Sequence, residues 1–292
     1  MYTMRRSTIS DIPRERELWR MSFGDDWEYI DTYYEHTQDP DWAVVLEDED
    51  GVVQTMLIGF PVQQTLPDGA QLPAIYYYAL GTDPAVRGRG YGRALFRYAE
   101  KTFLAEGRPV MTLLPGEPSL YNFFLSIDYD DRNFFIRRLE TARADLPAPE
   151  GEAEATGPAE YNTLRERYLA GSFHLSFDDR YVRHQKNVAR LYRGDLLKIA
   201  FSDTDGCASV EYAEDGALLV KELLVPAGRT LAALAAIAEK FPCENLVVNL
   251  PAMPGFDELG EIAPYGVTHW MDGEQKKLLS GRKDGYLGLA LD

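Results

Sequence analysis

The stretch Leu80-Gly81-Thr82-Asp83-Pro84-Ala85-Val86-Arg87-Gly88-Arg89-Gly90-Tyr91-Gly92-Arg93-Ala94-Leu95 joins two segments of different character, and its reading decides the fold. Upstream, Ile75-Tyr76-Tyr77-Tyr78-Ala79-Leu80 has the aromatic content that strands favour. Downstream, Leu95, Phe96, Ala99 and Phe103 share one side of a helix, Arg97, Glu100, Lys101 and Glu106 fall largely on the other, and Gly107 closes it. The glycine loop therefore sits at a helix start, where N–H groups without intrahelical partners converge on one anion; pyrophosphate is the natural guest. Gly88, Gly90 and Gly92 let the main chain approach such a group without a Cβ in the way, and Arg87, Arg89 and Arg93 offer positive charge around it. The spacing excludes other phosphate loops: there is no Gly-Lys-Ser/Thr ending, and the glycines fall at every second position instead of Gly-x-Gly-x-x-Gly.

Working outward, the first half predicts amphipathic helices from Asp11 to Phe23 and from Trp27 to His36. Strands follow at Trp42 to Glu47, at Val52 to Val62 and at Leu72 to Gly81, the first two joined by the turn Asp48-Glu49-Asp50-Gly51. Beyond the glycine-loop helix come a buried strand from Val110, a short helix over Ser119 to Ser126, and a final strand from Asn133. Between Thr141 and Pro158 the aromatics disappear and Pro, Gly, Ala and Glu accumulate, which is linker composition. The second half repeats the order: helices at Tyr161 to Ala170 and Asp179 to Tyr192, strands at Leu196, Cys207 and Leu218, a helix from Thr230 to Phe241, strands at Asn245 and Val267, and Tyr286 to Leu291 as a closing strand. The expectation is an α/β (α+β) chain of two tandem domains, each a mixed, mainly antiparallel sheet flanked by helices. Residues 1–143 form the first domain, 144–157 the linker and 158–292 the second.

The 292 residues are 45% hydrophobic and 26% charged, enough for two ordinary cores. No apolar run reaches the roughly eighteen residues of a membrane span, and Met1-Tyr2-Thr3-Met4-Arg5-Arg6 leads into polar sequence, so a cytoplasmic location is the default. A net charge of −17 works against nucleic acid and anionic membrane as partners and is compatible with a cationic one. Cys207 and Cys243 have no ligand at metal spacing, His36, His174, His184 and His269 are scattered, and no metal site is expected.

The Leu80 to Leu95 stretch resembles motif A of the GNAT superfamily of acyl-CoA N-acyltransferases, whose Arg/Gln-x-x-Gly-x-Gly/Ala signature follows a strand and a Pro-containing turn. Arg87, Gly90 and Gly92 fall on its fixed positions, Asp83-Pro84 and the following helix also fit, and the element order along residues 3–140 is that of the family. The resemblance implies that the loop binds the pyrophosphate of acetyl-CoA through main-chain amides. It also implies that the strand end from Leu80 to Thr82 hydrogen-bonds the pantetheine arm, and that the activity is N-acetyl transfer to a primary amine of a small molecule or peptide. The tandem layout resembles the bacterial enhanced-intracellular-survival type without its C-terminal lipid-carrier-like domain. In the second half the corresponding loop, Pro226-Ala227-Gly228-Arg229-Thr230-Leu231, lacks the pattern, so a single acetyl-CoA site is expected.

Such transfer needs a proton for the departing thiolate, and similar enzymes take it from a tyrosine on the short helix after the fifth strand. Counting from Pro115 selects Tyr121; counting back from Asp128-Tyr129, where the family has Gly-Phe, selects Phe124. Only Tyr121 has a proton to give, and Ser126 is a weaker donor. For the base, Glu117, Tyr76, Tyr77 and Tyr78 are scaffold before catalyst, a water relay serves equally, and the resemblance adds the terminal carboxylate of Asp292. Trp19, Phe23, Trp27, Tyr33 and Tyr34 suggest an aromatic acceptor wall, with Asp25, Asp26, Glu28 and Asp31 attracting a cation. An oligomer is allowed. The competing reading is a regulatory protein that binds CoA without turnover, motivated by Phe124 and the missing base.

Overall fold

The structure is a computed structural model that describes residues 2–130, 133–256, 258–279, 282 and 284–291. The chain runs β1 (Tyr2–Arg6), α1 (Ile12–Phe23), α2 (Trp27–His36), β2 (Ala43–Asp48), β3 (Val53–Thr65), β4 (Gln71–Thr82), α3 (Tyr91–Ala105) and β5 (Val110–Leu113). It continues through α4 (Pro118–Leu125), β6 (Phe135–Ala142), β7 (Glu152–Ala155), α5 (Pro158–Leu169), β8 (His174–Ser176), α6 (Asp179–Leu191), β9 (Asp195–Ala200), β10 (Asp205–Tyr212) and β11 (Leu218–Leu224). It ends with α7 (Thr230–Lys240), β12 (Asn245–Pro251), β13 (Glu261–Pro264), β14 (Val267–Trp270) and α8 (Gly273–Leu279).

These elements build two sheets flanked by helices, as expected. One has the order β1-β2-β3-β4-β5-β14 with β8 on β3, and the other β13-β6-β12-β11-β10-β9-β7. Both contain a parallel pair, Ala74–Tyr76 with Val110–Thr112 in the first and Leu218–Val220 with Leu246–Val248 in the second. A helix, α3 or α7, follows the first strand of each pair, so the repeated order read from the sequence is a repeated topology.

Contacts divide the chain into two compact units, and these do not follow the linear halves. The first comprises Met1–Gln63, Leu72–Leu113 and Thr268–Lys276, the second Gln64–Gln71, Leu114–Val267 and Lys277–Asp292. The strand from Asn133, expected to finish the first sheet, is β6 of the second sheet, paired with β12 and β13. The strand at Val267, expected in the second, is β14 at the end of the first. The expected linker contains β7: alternation in Glu152-Ala153-Glu154-Ala155 suits an edge strand, which pairs with β9 from Glu152↔Ala200 to Ala155↔Leu197. Tyr286 to Leu291 forms no strand beyond isolated bridges at Gly285 and Tyr286, yet it is buried. Side chains take some of its carbonyls: Arg165 Nη2 donates to Leu287 O at 3.3 Å and Tyr181 Oη to Leu289 O at 2.6 Å.

Local chemistry accounts for the first unit's frame. Gly81 permits α1 to lie directly on β4, since a Cβ there would come within 3.2 Å of Leu18 O. Trp19, fully enclosed, meets Tyr29, Tyr33, Tyr34 and Tyr78 edge-on or tilted, with centroids 5.1–6.2 Å apart. On the opposite face, Tyr77 packs on Phe96 and Phe103 of α3. The second unit's core is aliphatic, with Val210, Val220, Leu234, Ile237 and Val248 all buried between sheet and α7.

Candidate active site

The glycine loop lies where the sequence placed it, between β4 and α3. Gly88 and Gly90 have φ of +81° and +80°, a left-handed conformation in which any other residue is strained, and nothing lies within 4 Å of where their Cβ atoms would be. Gly90 is the N-cap of α3 and supplies no side chain to its first N–H groups; its carbonyl accepts from Ala94 N at 3.0 Å to begin the helix. Gly92 brings the first turn close to β4, 3.5 Å from Thr82 Oγ1 at its virtual Cβ. Tyr91 is held edge-on against Tyr2 of β1 at 5.5 Å. The result is an open seat of backbone donors at a helix start, with a geometry that suits a phosphate group.

The arginines around this seat differ. The Arg87 guanidinium turns back, with Nε donating to Thr82 O at 3.1 Å and Nη2 to Met21 O at 3.4 Å. These two carbonyl contacts brace the end of α1 against the end of β4. Arg89 and Arg93 are exposed. Asp83 accepts from Ala85 N at 2.8 Å and pairs with Arg14, which fixes the Asp-Pro turn leading into the loop.

β4 pairs with β5 in register from Ala74 to Tyr76 and continues to Thr82. Ala79 has a φ of +51°, so the strand bends inside this stretch, and the Leu80 to Thr82 edge is the one the resemblance assigns to a pantetheine arm. The Thr82 carbonyl is already engaged by Arg87. Tyr76 is wholly buried, and Tyr78 Oη shares a 2.5 Å hydrogen bond with Tyr29 Oη. Burial pushes the Tyr77 and Tyr78 hydroxyls well above the usual phenol range.

In the second unit, α4 gives Phe124 and Tyr121 different surroundings. Phe124 is buried against Phe123 and Tyr129, at 5.2 and 5.6 Å. Asp128 adopts a φ of +75°, the conformation a glycine at that position favours, so the backbone keeps its shape while Phe124 faces the core. Tyr121, one turn earlier, is half-exposed: Gly266 N donates to its Oη at 3.2 Å, and Oη donates to Pro264 O at 3.5 Å. Ser126 Oγ is committed to Phe123 O at 2.6 Å. Glu117 is exposed at the N-cap, and Asp292 lies outside the described residues.

The proposed acceptor wall is mostly core: Trp19 and Tyr33 are buried, and Tyr34 donates to Glu15 at 3.2 Å. Phe23 and Trp27 remain exposed, with the Arg20 guanidinium 4.8 Å over the Trp27 ring. Asp25 accepts from Trp19 Nε1 at 2.7 Å and Asp31 pairs with Arg16. Folding also gives two histidines acid partners that spacing hid: His174 Nε2 meets Glu166 at 3.2 Å and His269 Nδ1 meets Glu100 at 2.8 Å. Among the described residues no His, Cys, Asp and Glu cluster could hold a metal ion, and no helix is long and apolar enough to cross a membrane.

A strand, an open glycine loop and an uncapped helix start, carried on a mixed sheet whose topology is repeated in tandem, define a GNAT-type acyltransferase. The family model of the acetyltransferase (GNAT) domain matches residues 3–124. An acetyltransferase of Photorhabdus laumondii is 32% identical over 116 residues, which span 38% of this chain and 74% of that protein. The chain belongs to the GNAT acetyltransferase family. Among solved structures, a GCN5-related N-acetyltransferase from Anabaena variabilis is similar with a TM-score of 0.74 at 13% identity, over 93% of this chain and 73% of that one. Eis1 from Mycobacterium abscessus is similar with a TM-score of 0.69 at 13% identity, over 94% and 75%. At that identity the likeness is one of fold, and it extends across both sheets.

Proposed function

We propose that this acetyltransferase takes its acetyl group from acetyl-CoA and delivers it to a primary amine of a small molecule or peptide, with Tyr121 as the general acid. The observation that carries the reading is the open backbone seat of Gly88, Gly90 and Gly92 at the uncapped start of α3. Pyrophosphate on these N–H groups places negative charge where the helix terminus favours it, with Arg89 and Arg93 in the same segment. The edge of Leu80 to Thr82 accounts for the pantetheine arm. The neutral amine attacks the acetyl carbonyl, the carbon–sulfur bond breaks, and the thiolate takes the Tyr121 proton; the amine loses its own proton through water. In this reading Phe124, buried against Phe123 and Tyr129, serves packing.

The acceptor is cationic in this reading: the net charge is −17, and Asp26 and Glu28 stand beside exposed Trp27 at the start of α2. The protein acts in the cytoplasm, without nucleic acid or membrane as partner. The test is thiol release from acetyl-CoA against a panel of polyamines, aminoglycosides and lysine peptides. Saturable, amine-dependent release that falls about a hundredfold in Tyr121→Phe is expected. Acetyl-CoA binding with no acceptor-dependent release across the panel, and no effect of Tyr121→Phe, would overturn it.

A further inference from the structure

We infer that the backbone N–H of Gly266 is a positioning and charge-stabilising donor for Tyr121, completing the acid from a turn 145 residues away in sequence. The inference rests on the reading of Tyr121 as the general acid. The two sides of the Tyr121 hydroxyl are held unequally. Its proton points toward Pro264 O at 3.5 Å, the long limit of a hydrogen bond, whereas its lone pair receives Gly266 N–H at 3.2 Å. The oxygen that must keep the electron pair thus already faces a donor.

Charge flow in the last step gives this asymmetry its value. As the Tyr121 O–H bond breaks and an S–H bond forms on the leaving thiolate, the O–H electron pair stays on Oη. Negative charge therefore develops against the Gly266 N–H, and a neutral hydrogen bond becomes a charge-assisted one. Solvent then returns a proton to the phenolate. A donor helps in this way only if it is fixed beforehand, and the residues that lead from β13 into Gly266 are anchored to β6 and its start. Tyr265 N donates to Phe134 O at 2.9 Å, and Pro264 is in register with Phe135 of β6. Gly266 itself has a φ of +118°, which only glycine takes without strain, and that conformation aims its N–H at α4.

The decisive variant replaces Gly266 with glycolic acid by nonsense suppression, exchanging N–H for an ester oxygen without adding a Cβ. The expected result is a kcat lower by about ten- to a hundredfold, with the KM for acetyl-CoA unchanged. The same ester in the Tyr121→Phe background is expected to cost nothing further. An unchanged kcat, or an equal fold-loss in both backgrounds, overturns the inference while leaving Tyr121 as the acid. If Tyr121→Phe alone leaves kcat unchanged, the acid assignment falls and this inference with it. A second measurement avoids altering the turn: with glycine selectively labelled with nitrogen-15, the Gly266 amide proton should move upfield in Tyr121→Phe. A resonance that stays in place overturns the contact.

Discussion

Glu15 is a carboxylate taken out of water, only 1% exposed, held by Ser7 Oγ at 2.5 Å and Tyr34 Oη at 3.2 Å. Desolvation raises its pKa above the ordinary 4.5, against the opposing pull of these two donors. A raised carboxylate favours its neutral form in the folded state, so its contribution is fully present below the ordinary value and lost as pH rises through the higher one. Glu15→Gln should therefore gain stability relative to the native chain as pH rises above the ordinary 4.5, read as a denaturant midpoint difference that grows with pH; a constant difference would refute it. Arg87 offers a second residue-level test, because it braces two carbonyls. Arg87→Gln should lower the melting temperature by about 2 °C and leave the salt dependence of acetyl-CoA binding intact. Arg89→Gln should flatten that dependence. Equal flattening by both would return Arg87 to the phosphates.

The strand-loop-helix was legible as an element because its signals are local: glycines that must adopt positive φ, an aromatic strand before them and a 3.6-residue apolar period after them. Gly90→Ala tests it, since a Cβ at a φ of +80° costs about 1–2 kcal/mol and displaces the first N–H groups of α3. The KM for acetyl-CoA should rise roughly tenfold with the fold retained, and an unchanged KM would remove the loop from the site. Elements whose identity depends on partners were not legible. β1 reads as a polar terminus until it pairs with β2, and β7 has linker composition. The final apolar segment looks like a strand, but its Leu287 and Leu289 carbonyls belong to Arg165, Tyr181 and Gln185. Its anchor is an ion pair with both side chains 0% exposed, Arg165 Nε to Glu222 at 3.2 Å, joined by Tyr161 Oη at 2.8 Å. Arg165→Met strands the Glu222 charge and should cost about 3–5 kcal/mol in chemical denaturation. The further change Glu222→Leu should recover part of that loss, whereas additive losses would show the pair acting through packing alone.

At the scale of the molecule, sequence composition points to a cut near residue 150, and strand pairing points elsewhere. Local pattern reports that Asn133 onward and Val267 onward are strands; it carries no information on which sheet each joins, because that choice is made by register and burial against distant residues. Here the choices cross. β6 lies between β12 and β13, pairing from Pro251↔Ile136 to Asn245↔Ala142 on one side and from Pro264↔Phe135 to Glu261↔Arg138 on the other. β14 occupies the far side of β5, where Thr268 Oγ1 and Thr112 Oγ1 lie 3.3 Å apart. A fragment of residues 1–150 would carry β6 without either partner and expose the edge of β5, two unpaired rows of backbone groups in one piece. Expressed alone, it should aggregate or melt without cooperativity and fail to bind acetyl-CoA. Co-expressed with residues 151–292, it should regain both properties, since the missing strands are then supplied in trans. A fragment 1–150 that melts cooperatively and binds acetyl-CoA with full affinity would mean that the first sheet is complete without β14, and the contact-defined units would give way to the linear ones.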